Sequence, residues 1–175
     1  MSFRTAPVAV ESGRDKSTLF TPEIRASIDA MLEQYPPEWM QSAVMPALTL
    51  VQEHNGGWLT LALMDAVAAY LEMPAVAVYE VATFYGMYDL KEQGRHKVCV
   101  CNSISCLLNG SEELIEHVEK TYGVKPGQMT KDGRFTFKEV ECLGACKDAP
   151  AVLIGKTYHE KLSAPQLDKL IDELE

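Results

Sequence analysis

The sequence predicts an α+β protein, with a helical N-terminal half followed by a mixed α/β half. Apolar residues recur at helical spacing up to about residue 90, whereas short strand-like runs separated by turn signals follow. The second half also carries two close pairs of cysteines, each beginning at the end of a predicted strand: Cys101 and Cys106, then Cys142 and Cys146. This order of elements predicts a compact sheet covered by helices.

Changes in composition divide the 175-residue chain into four segments. Residues 1–18 show no hydrophobic period, and we expect them to form a flexible tail. Residues 19–90 carry the helical pattern, and residues 97–175 carry the α/β pattern. Between them, the charged, glycine-containing stretch 91–96 is predicted to be a linker that joins two domains.

Four helices are predicted in the first half. The first begins at Thr21-Pro22-Glu23, where a hydroxyl cap precedes a proline and an acid in the first turn. The second contains Pro46, which marks either a kink or the true start of the helix. The third is predicted over 61–73 and the fourth over 75–85, although the valine-rich run 75–78 also fits a strand. The apolar spacing favours a helix in that run.

The second half is predicted to follow the order β, α, β, β, β, α. The loop after Cys101 is polar from Asn102 to Ser105, which predicts a flexible turn back to Cys106. The predicted elements are a strand at 97–101, a helix at 110–122, a strand at 134–141, a hairpin at 151–162 and a last helix opened by a capping box at 163–166. A cysteine loop therefore follows each of the first two strands.

The spacing of the two cysteine pairs favours a 2Fe-2S cluster. The pairs are spaced C-x4-C and C-x3-C, about 40 residues apart. Such a cluster binds four thiolates, which two short loops can bring together, and Gly144 allows a tight turn that aims backbone N–H groups at sulfur. Structural zinc sites prefer C-x2-C knuckles and dithiol oxidoreductases use C-x-x-C, and neither spacing occurs in the sequence. A zinc-stabilised interaction module stays the alternative of another class.

The fifth cysteine, Cys99, is expected to be a buried apolar residue. It stands two residues before Cys101 and therefore shares its face of the predicted strand, whereas Val98 and Val100 face the other way. Free cysteine is often buried as a small hydrophobic residue. A substitute ligand or a reactive thiol is the alternative interpretation of this position.

Composition argues against several other function classes. The chain has 25 acidic and 16 basic residues and a formal net charge of −9, so a nucleic-acid-binding surface is not expected. No stretch approaches the roughly 20 apolar residues of a membrane span, and the first residues lack a secretory signal pattern. We therefore expect a soluble, cytoplasmic protein whose cysteines serve metal or redox chemistry.

Five motifs, in order along the chain, carry a resemblance to one family. The chain resembles the small 2Fe-2S subunit of NADH:quinone oxidoreductase, which is respiratory complex I. The resemblance covers nearly everything after the tail, and several such motifs in the right order are highly specific. The motifs are Leu48–Trp58, Glu80–Tyr88, Cys101–Gly110, Asp132–Thr136 and Glu141–Pro150.

The resemblance implies a helical bundle joined to a thioredoxin-like domain that holds one 2Fe-2S cluster. It maps the cluster ligands onto Cys101, Cys106, Cys142 and Cys146. It further implies that FMN and NADH are bound by a partner, the NADH-binding flavoprotein subunit, and that this chain is a redox subunit without a substrate site of its own.

The resemblance also implies a location and an alternative. Other peripheral-arm iron-sulfur subunits would be further partners, and the complex would place this chain at the inner, cytoplasmic face of a membrane without inserting it. The equivalent 2Fe-2S subunit of a soluble NAD-linked hydrogenase or formate dehydrogenase shares these motifs and stays the alternative of the same class.

Overall fold

A computed structural model describes residues 19–175 of the chain, and the predicted tail at 1–18 lies outside the described residues. The chain divides into two compact units between Glu92 and Gln93, inside the charged stretch that suggests a linker. The end of that stretch belongs to the second unit, because the N–H groups of Arg95 and His96 donate to backbone carbonyls of residues 133 and 134, each at 3.0 Å.

Over its described residues, 19–92, the first unit consists of four α-helices and one 3-10 turn, and the four predicted helices are confirmed. The valine-rich run at the start of the fourth is helical, and Pro46 lies in the first turn of the second. The third helix ends before the predicted Met73. The helices are α1 (Pro22–Leu32), α2 (Val44–His54), α3 (Leu61–Tyr70) and α4 (Ala75–Phe84), with the 3-10 turn at Pro37–Ala43 before α2.

Hydroxyl caps begin two of these helices where the sequence predicts them. The Thr21 hydroxyl accepts a hydrogen bond from the N–H of Ile24 at 3.4 Å, and the Thr60 hydroxyl accepts one from Leu63 at 3.1 Å. The apolar faces of the helices then meet in one core. Its largest fully buried side chains are Ile28, Leu48, Val51, Leu59, Val67 and Val78.

The second unit is a five-stranded sheet with three helices. The strand order is β2-β3-β1-β4-β5, and only β1 and β3 run parallel. The elements are β1 (His96–Cys101), α5 (Ile104–Leu108), α6 (Ser111–Tyr122), β2 (Gln128–Met129), β3 (Phe135–Val140), β4 (Ala151–Ile154), β5 (Thr157–Glu160) and α7 (Ala164–Asp172). The α+β class is confirmed.

One face of this sheet carries the core of the second unit. Val98 and Val100 of β1 and Phe135 and Phe137 of β3 are fully buried there, against apolar residues of α6 and α7. Because side chains alternate along a strand, Cys99 and Cys101 point to the opposite face. The alternation in β1 therefore separates the hydrophobic core from the cysteines.

Two elements differ from the prediction. The segment between the first two cysteines is not a flexible loop, because Ile104–Leu108 forms the short helix α5. The edge strand β2 was not predicted, and it pairs with β3 through Gln128 and Met129 alone. Both elements are too short to show a hydrophobic period, so their conformations depend on contacts with the rest of the unit.

The parallel pairing of β1 and β3 brings the two cysteine loops to one edge of the sheet. Cys101 lies opposite Val140 in the register, so both strands end at the same level. The N–H of Asn102 donates to the carbonyl of Val140 at 2.9 Å, which joins the chain just beyond the two strand ends. Cys142 follows two residues after Val140, and the second loop therefore starts beside the first.

Candidate metal centre

The four predicted ligands lie on four different local structures at this edge. Cys101 is the last residue of β1, and Cys106 lies in the middle of α5. Cys142 follows β3, and Cys146 begins the 3-10 turn Cys146–Asp148. The two pairs therefore face one another from a strand–helix segment and from an irregular loop.

The first pair forms a small buried cluster with β4. Cys101 is 2% exposed and Cys106 is 1% exposed, and both pack with the fully buried Ala151. Leu143, Ala145 and Ala149 of the second loop pack against this cluster. The second loop thus covers the first pair of sulfurs with apolar atoms.

Hydrogen bonds also tie the two loops together. The Ser105 hydroxyl of α5 donates to the backbone carbonyl of Cys146 at 3.0 Å. The Cys101 thiol donates to the carbonyl of Glu141 at 3.5 Å. These contacts cross from one cysteine loop to the other, so the loops are held as one site in the cluster-free chain.

The Cys101 thiol has a lowered pKa. Burial opposes its ionisation, but hydrogen bonds from the Ser103 side chain and backbone, from the Leu143 N–H and from Cys106 outweigh the burial and hold the pKa of Cys101 below its ordinary value. This environment favours the thiolate, which is the form that binds metal.

The neighbouring Cys106 has a raised pKa. Burial raises the pKa of the Cys106 thiol, and the Cys101 and Cys146 sulfurs raise it further, while an N–H of Ala151 acts in the opposite direction. The sulfurs of Cys101, Cys106 and Cys146 are therefore close enough to interact electrostatically. Placing several thiolates together is costly unless a cation offsets their charge, so this grouping favours metal binding.

Cys142 is held by its own loop. Gly144 has a φ of +76°, a conformation that glycine adopts readily, and its N–H lies 3.4 Å from the Cys142 sulfur as a donor. This contact confirms that the glycine turn aims a backbone N–H at a cysteine sulfur. Such N–H donors stabilise negative charge on a ligand sulfur.

The arrangement of the donors in two pairs is compatible with a two-iron cluster. A 2Fe-2S cluster divides its ligands into pairs on separate irons, and two thiol pairs on facing loops match that division.

Cys99 is buried, as the sequence predicts. It is 8% exposed and lies between Lys138 of β3 and Leu153 of β4 in the sheet register. Its position in the middle of β1 keeps it within the sheet, whereas Cys101 lies at the strand end. Its place outside the ligand set stays a prediction.

Two serines near the cysteines were not identified from the sequence. The Ser103 hydroxyl lies 3.1 Å from the Cys101 sulfur, and Ser105 bonds to the Cys146 carbonyl. The only signal in the sequence is their position within the C-x4-C spacing, because a serine in a polar loop is ordinary. The contacts appear only once α5 is formed.

Comparison with known proteins identifies the family of this chain. The sequence model of the family described as Thioredoxin-like [2Fe-2S] ferredoxin matches residues 28–175. The chain belongs to this family. The family description names the thioredoxin-like fold and the 2Fe-2S cofactor, and the four thiols at the sheet edge are a donor set that fits that cofactor.

Relatives of this thioredoxin-like ferredoxin carry consistent names. The chain is 45% identical over 143 residues to an NADH-quinone oxidoreductase subunit of Rickettsia felis, covering 82% of this chain and 86% of that protein. It is 39% identical over 155 residues to the mitochondrial NADH dehydrogenase [ubiquinone] flavoprotein 2 of Dictyostelium discoideum, covering 89% of this chain and 63% of that protein.

A solved structure supports the fold. The crystal structure of an NAD+-reducing [NiFe]-hydrogenase in the H2-reduced state is similar with a TM-score of 0.62 at 22% identity, over 72% of this chain. The similar region spans 21% of that hydrogenase chain, about a fifth of its length. Within the part of the ferredoxin that the structure describes, no helix has both the length and the apolarity to cross a membrane.

Proposed function

We propose that this chain is the electron-transfer subunit of an NADH-quinone oxidoreductase and that Cys101, Cys106, Cys142 and Cys146 hold its single 2Fe-2S cluster. The names of the relatives support the complex, and the family description supports the cofactor. The observation that carries the assignment of ligands is the convergence of the two cysteine loops at the ends of the parallel strands β1 and β3.

The protein's own groups would bind the cluster and limit its contact with water. Bound there, a 2Fe-2S cluster supplies a carrier for one electron at a time. Cys101 and Cys106 would attach it to the buried side of the site, and Cys142 and Cys146 would attach it from the exposed loop. Leu143 and Ala145 would exclude water from one side of the sulfurs.

The surface beside the site supports a protein partner. Ile104, Leu107 and Leu108 of α5 are 77%, 46% and 81% exposed, next to the two exposed cysteines. Such apolar side chains grouped on one short helix are typical of a protein–protein interface. We propose that this surface binds the NADH-binding flavoprotein subunit, whose FMN exchanges single electrons with the cluster.

Substrate chemistry would then belong to the partner. The sequence has no G-x-G-x-x-G or P-loop motif, so FMN and NADH binding is assigned to the flavoprotein subunit, and this chain acts as a non-catalytic redox subunit. Other peripheral-arm iron-sulfur subunits complete the proposed assembly. In that assembly the chain lies at the inner, cytoplasmic face of the membrane without entering it.

Anaerobic purification of the chain tests the cofactor. We expect a brown protein with about two irons and two acid-labile sulfides per chain and a rhombic EPR signal after reduction. Serine substitution of each of the four ligands is expected to reduce the iron content, whereas Cys99→Ala is expected to leave it unchanged. A colourless protein that contains zinc and no sulfide would contradict the proposal.

Affinity purification from cells tests the partner. Leu108→Glu places a charge on the proposed interface and is expected to reduce recovery of the flavoprotein subunit at least tenfold. The matched control is Val76→Glu on α4, because Val76 is also exposed, at 61%, but lies in the first unit. Recovery of a hydrogenase or formate dehydrogenase catalytic subunit in place of the flavoprotein subunit of the respiratory complex would favour the alternative parent enzyme.

A further inference from the structure

Ser103 occupies a helix N-cap position without acting as a cap. It precedes α5 with extended backbone angles, φ −72° and ψ 162°, yet its side chain makes no capping hydrogen bond. Serine at this position commonly accepts a bond from an N–H of the first turn. The hydroxyl here lies instead 3.1 Å from the sulfur of Cys101.

The direction of this hydrogen bond follows from the chemistry of the sulfur. A serine hydroxyl is both a donor and an acceptor, whereas a cysteine thiolate has no proton to donate. Cysteine binds iron as the thiolate, so with metal bound the Ser103 hydroxyl is the donor and the Cys101 sulfur the acceptor. The Cys101 sulfur lies on the buried side of the site, where water competes little for this bond.

We propose that Ser103 is a positioning residue that raises the reduction potential of the cluster by donating a hydrogen bond to the Cys101 thiolate. The proposal rests on the proposed function, because it requires Cys101 to be an iron ligand. A hydrogen bond to a charged acceptor strengthens as the negative charge on that acceptor grows. Reduction adds one electron and increases the negative charge on the ligand sulfurs, so the bond stabilises the reduced form more than the oxidised form.

A second serine in the same helix provides a matched control. Ser105 has a hydroxyl of the same kind, two residues away, but it donates to the backbone carbonyl of Cys146 at 3.0 Å and not to a sulfur. Removing either hydroxyl deletes one oxygen from the same segment. A purely structural role would therefore give the two alanine variants similar effects, whereas the proposal separates them.

The test is a redox titration of the cluster-loaded chain, with dithionite as the electron donor and the visible and EPR signals as readouts. Ser103→Ala is expected to lower the equilibrium constant for one-electron reduction about tenfold, a shift of about 59 mV to more negative potential. Ser105→Ala is expected to stay within twofold of the wild-type constant. Ser103→Thr retains a hydroxyl, so its reduction potential is expected to lie close to that of the wild type.

The outcomes separate this inference from the proposed function. A wild-type chain that binds no 2Fe-2S cluster would overturn both. A loaded wild-type chain with equal potentials in Ser103→Ala and Ser105→Ala would overturn the role of Ser103 alone. If Ser103→Ala loads poorly, Ser103→Gly takes its place, because glycine is also accepted at an N-cap; a wild-type potential in that variant would equally refute the role.

Discussion

The two cysteine pairs differ in how the fold holds them. Cys101 and Cys106 are buried, on elements that pack against β4. Cys142 and Cys146 are exposed, on an irregular loop that joins β3 to β4. The fold therefore holds the thiols of Cys101 and Cys106 in buried positions, whereas an exposed loop carries the thiols of Cys142 and Cys146.

The difference indicates how one site can serve two needs. If the four cysteines are the ligands, as proposed, the buried pair would keep its sulfurs away from water and fix their distance from the sheet. The exposed pair would leave a side through which metal could enter and an electron could reach a partner. Since metal binding contributes free energy of its own, the loop can take its final position on binding, whereas the first pair needs little movement.

The largest expected effect comes from replacing one ligand in each pair. Cys106→Ser is expected to lower the cluster content more than tenfold. The serine oxygen lies closer to the backbone than the cysteine sulfur, and the short helix α5 holds residue 106 in place, so the backbone cannot move toward the iron to compensate. Cys142→Ser is expected to retain a measurable fraction of cluster, because its exposed loop can move to restore contact with iron. Iron and sulfide analysis after anaerobic reconstitution measures the difference, and equal losses in the two variants would remove the proposed distinction.

Two glycines with positive φ test the same distinction through the backbone. Gly110 follows α5 with φ +92°, and Gly144 lies between the exposed cysteines with φ +76°; a Cβ would meet no atom closer than 3.8 Å at either. Alanine at each position therefore introduces conformational strain of about 1–2 kcal/mol and no clash.

The strain is expected to appear in different measurements. Gly110→Ala is expected to lower the free energy of unfolding of the cluster-free chain by about that amount, as measured in urea. Gly144→Ala is expected to affect unfolding less and instead to accelerate release of the cluster to a chelator. Similar unfolding losses in both variants would show that the second loop is as firmly fixed as the first.

Truncation of a cysteine to alanine in the cluster-free chain measures packing alone. Cys106→Ala removes one buried heavy atom and is expected to cost about 0.5–1.5 kcal/mol, the usual range for deleting one buried group. Cys146→Ala removes an exposed atom and is expected to change stability by less than about 0.5 kcal/mol. Urea unfolding under reducing conditions checks both values, and a larger loss at Cys146 would contradict the comparison.

The smallest expected effect concerns an ion pair that anchors the second loop. The Lys161 ammonium nitrogen lies 2.6 Å from a carboxylate oxygen of Asp148. The Lys161 backbone N–H also donates to the backbone carbonyl of Asp148 at 2.9 Å. The hydrogen bond and charge of Asp148 raise the pKa of Lys161 above its ordinary value, so this stabilisation is fully present below the ordinary lysine pKa and is lost as the pH rises through the folded-state pKa.

Lys161→Ala is therefore expected to accelerate cluster release by no more than about twofold near pH 7, as an exposed ion pair contributes little. The difference from wild type is expected to shrink above the folded-state pKa and in high salt. Lys120→Ala is the control, since Lys120 forms a similarly exposed ion pair with Glu116 within α6. A difference that grows with pH would contradict the assigned role.

The sequence predicts most elements that carry long apolar patterns or strong caps. Helix α6 carries two acids in its first turn and ends at a left-handed glycine, and α7 has the N-cap Ser163, whose N–H donates to the Gln166 side chain at 2.9 Å. The alternation in β1 also predicts correctly that Val98 and Val100 lie on a different face from the cysteines, and the structure adds that this face enters the core. These signals are local, so they are visible before the chain is folded.

Features that depend on contacts between distant segments were not predictable. Helix α5 has five residues and is stabilised by its place beside the second loop, so the polar composition around Cys106 indicates a flexible turn instead. The different burial of the two cysteine pairs depends on Ala151, which reaches the site only through the pairing of β4 with β1. Spacing identifies the four cysteines as a set but does not show that they differ.

The parallel pairing of β1 with β3 has a consequence for the order in which the site is assembled. The crossover between these strands contains α5, α6 and β2, so their contact closes a long segment of chain and is expected to form late in folding. A growing chain that ends before Val140 has Cys101 and Cys106 but lacks both later cysteines. We therefore expect an intact cluster to be inserted only after synthesis of the second unit is complete. At that stage Cys101 and Cys106 are already buried, whereas Cys142 and Cys146 are still exposed to the source of the cluster.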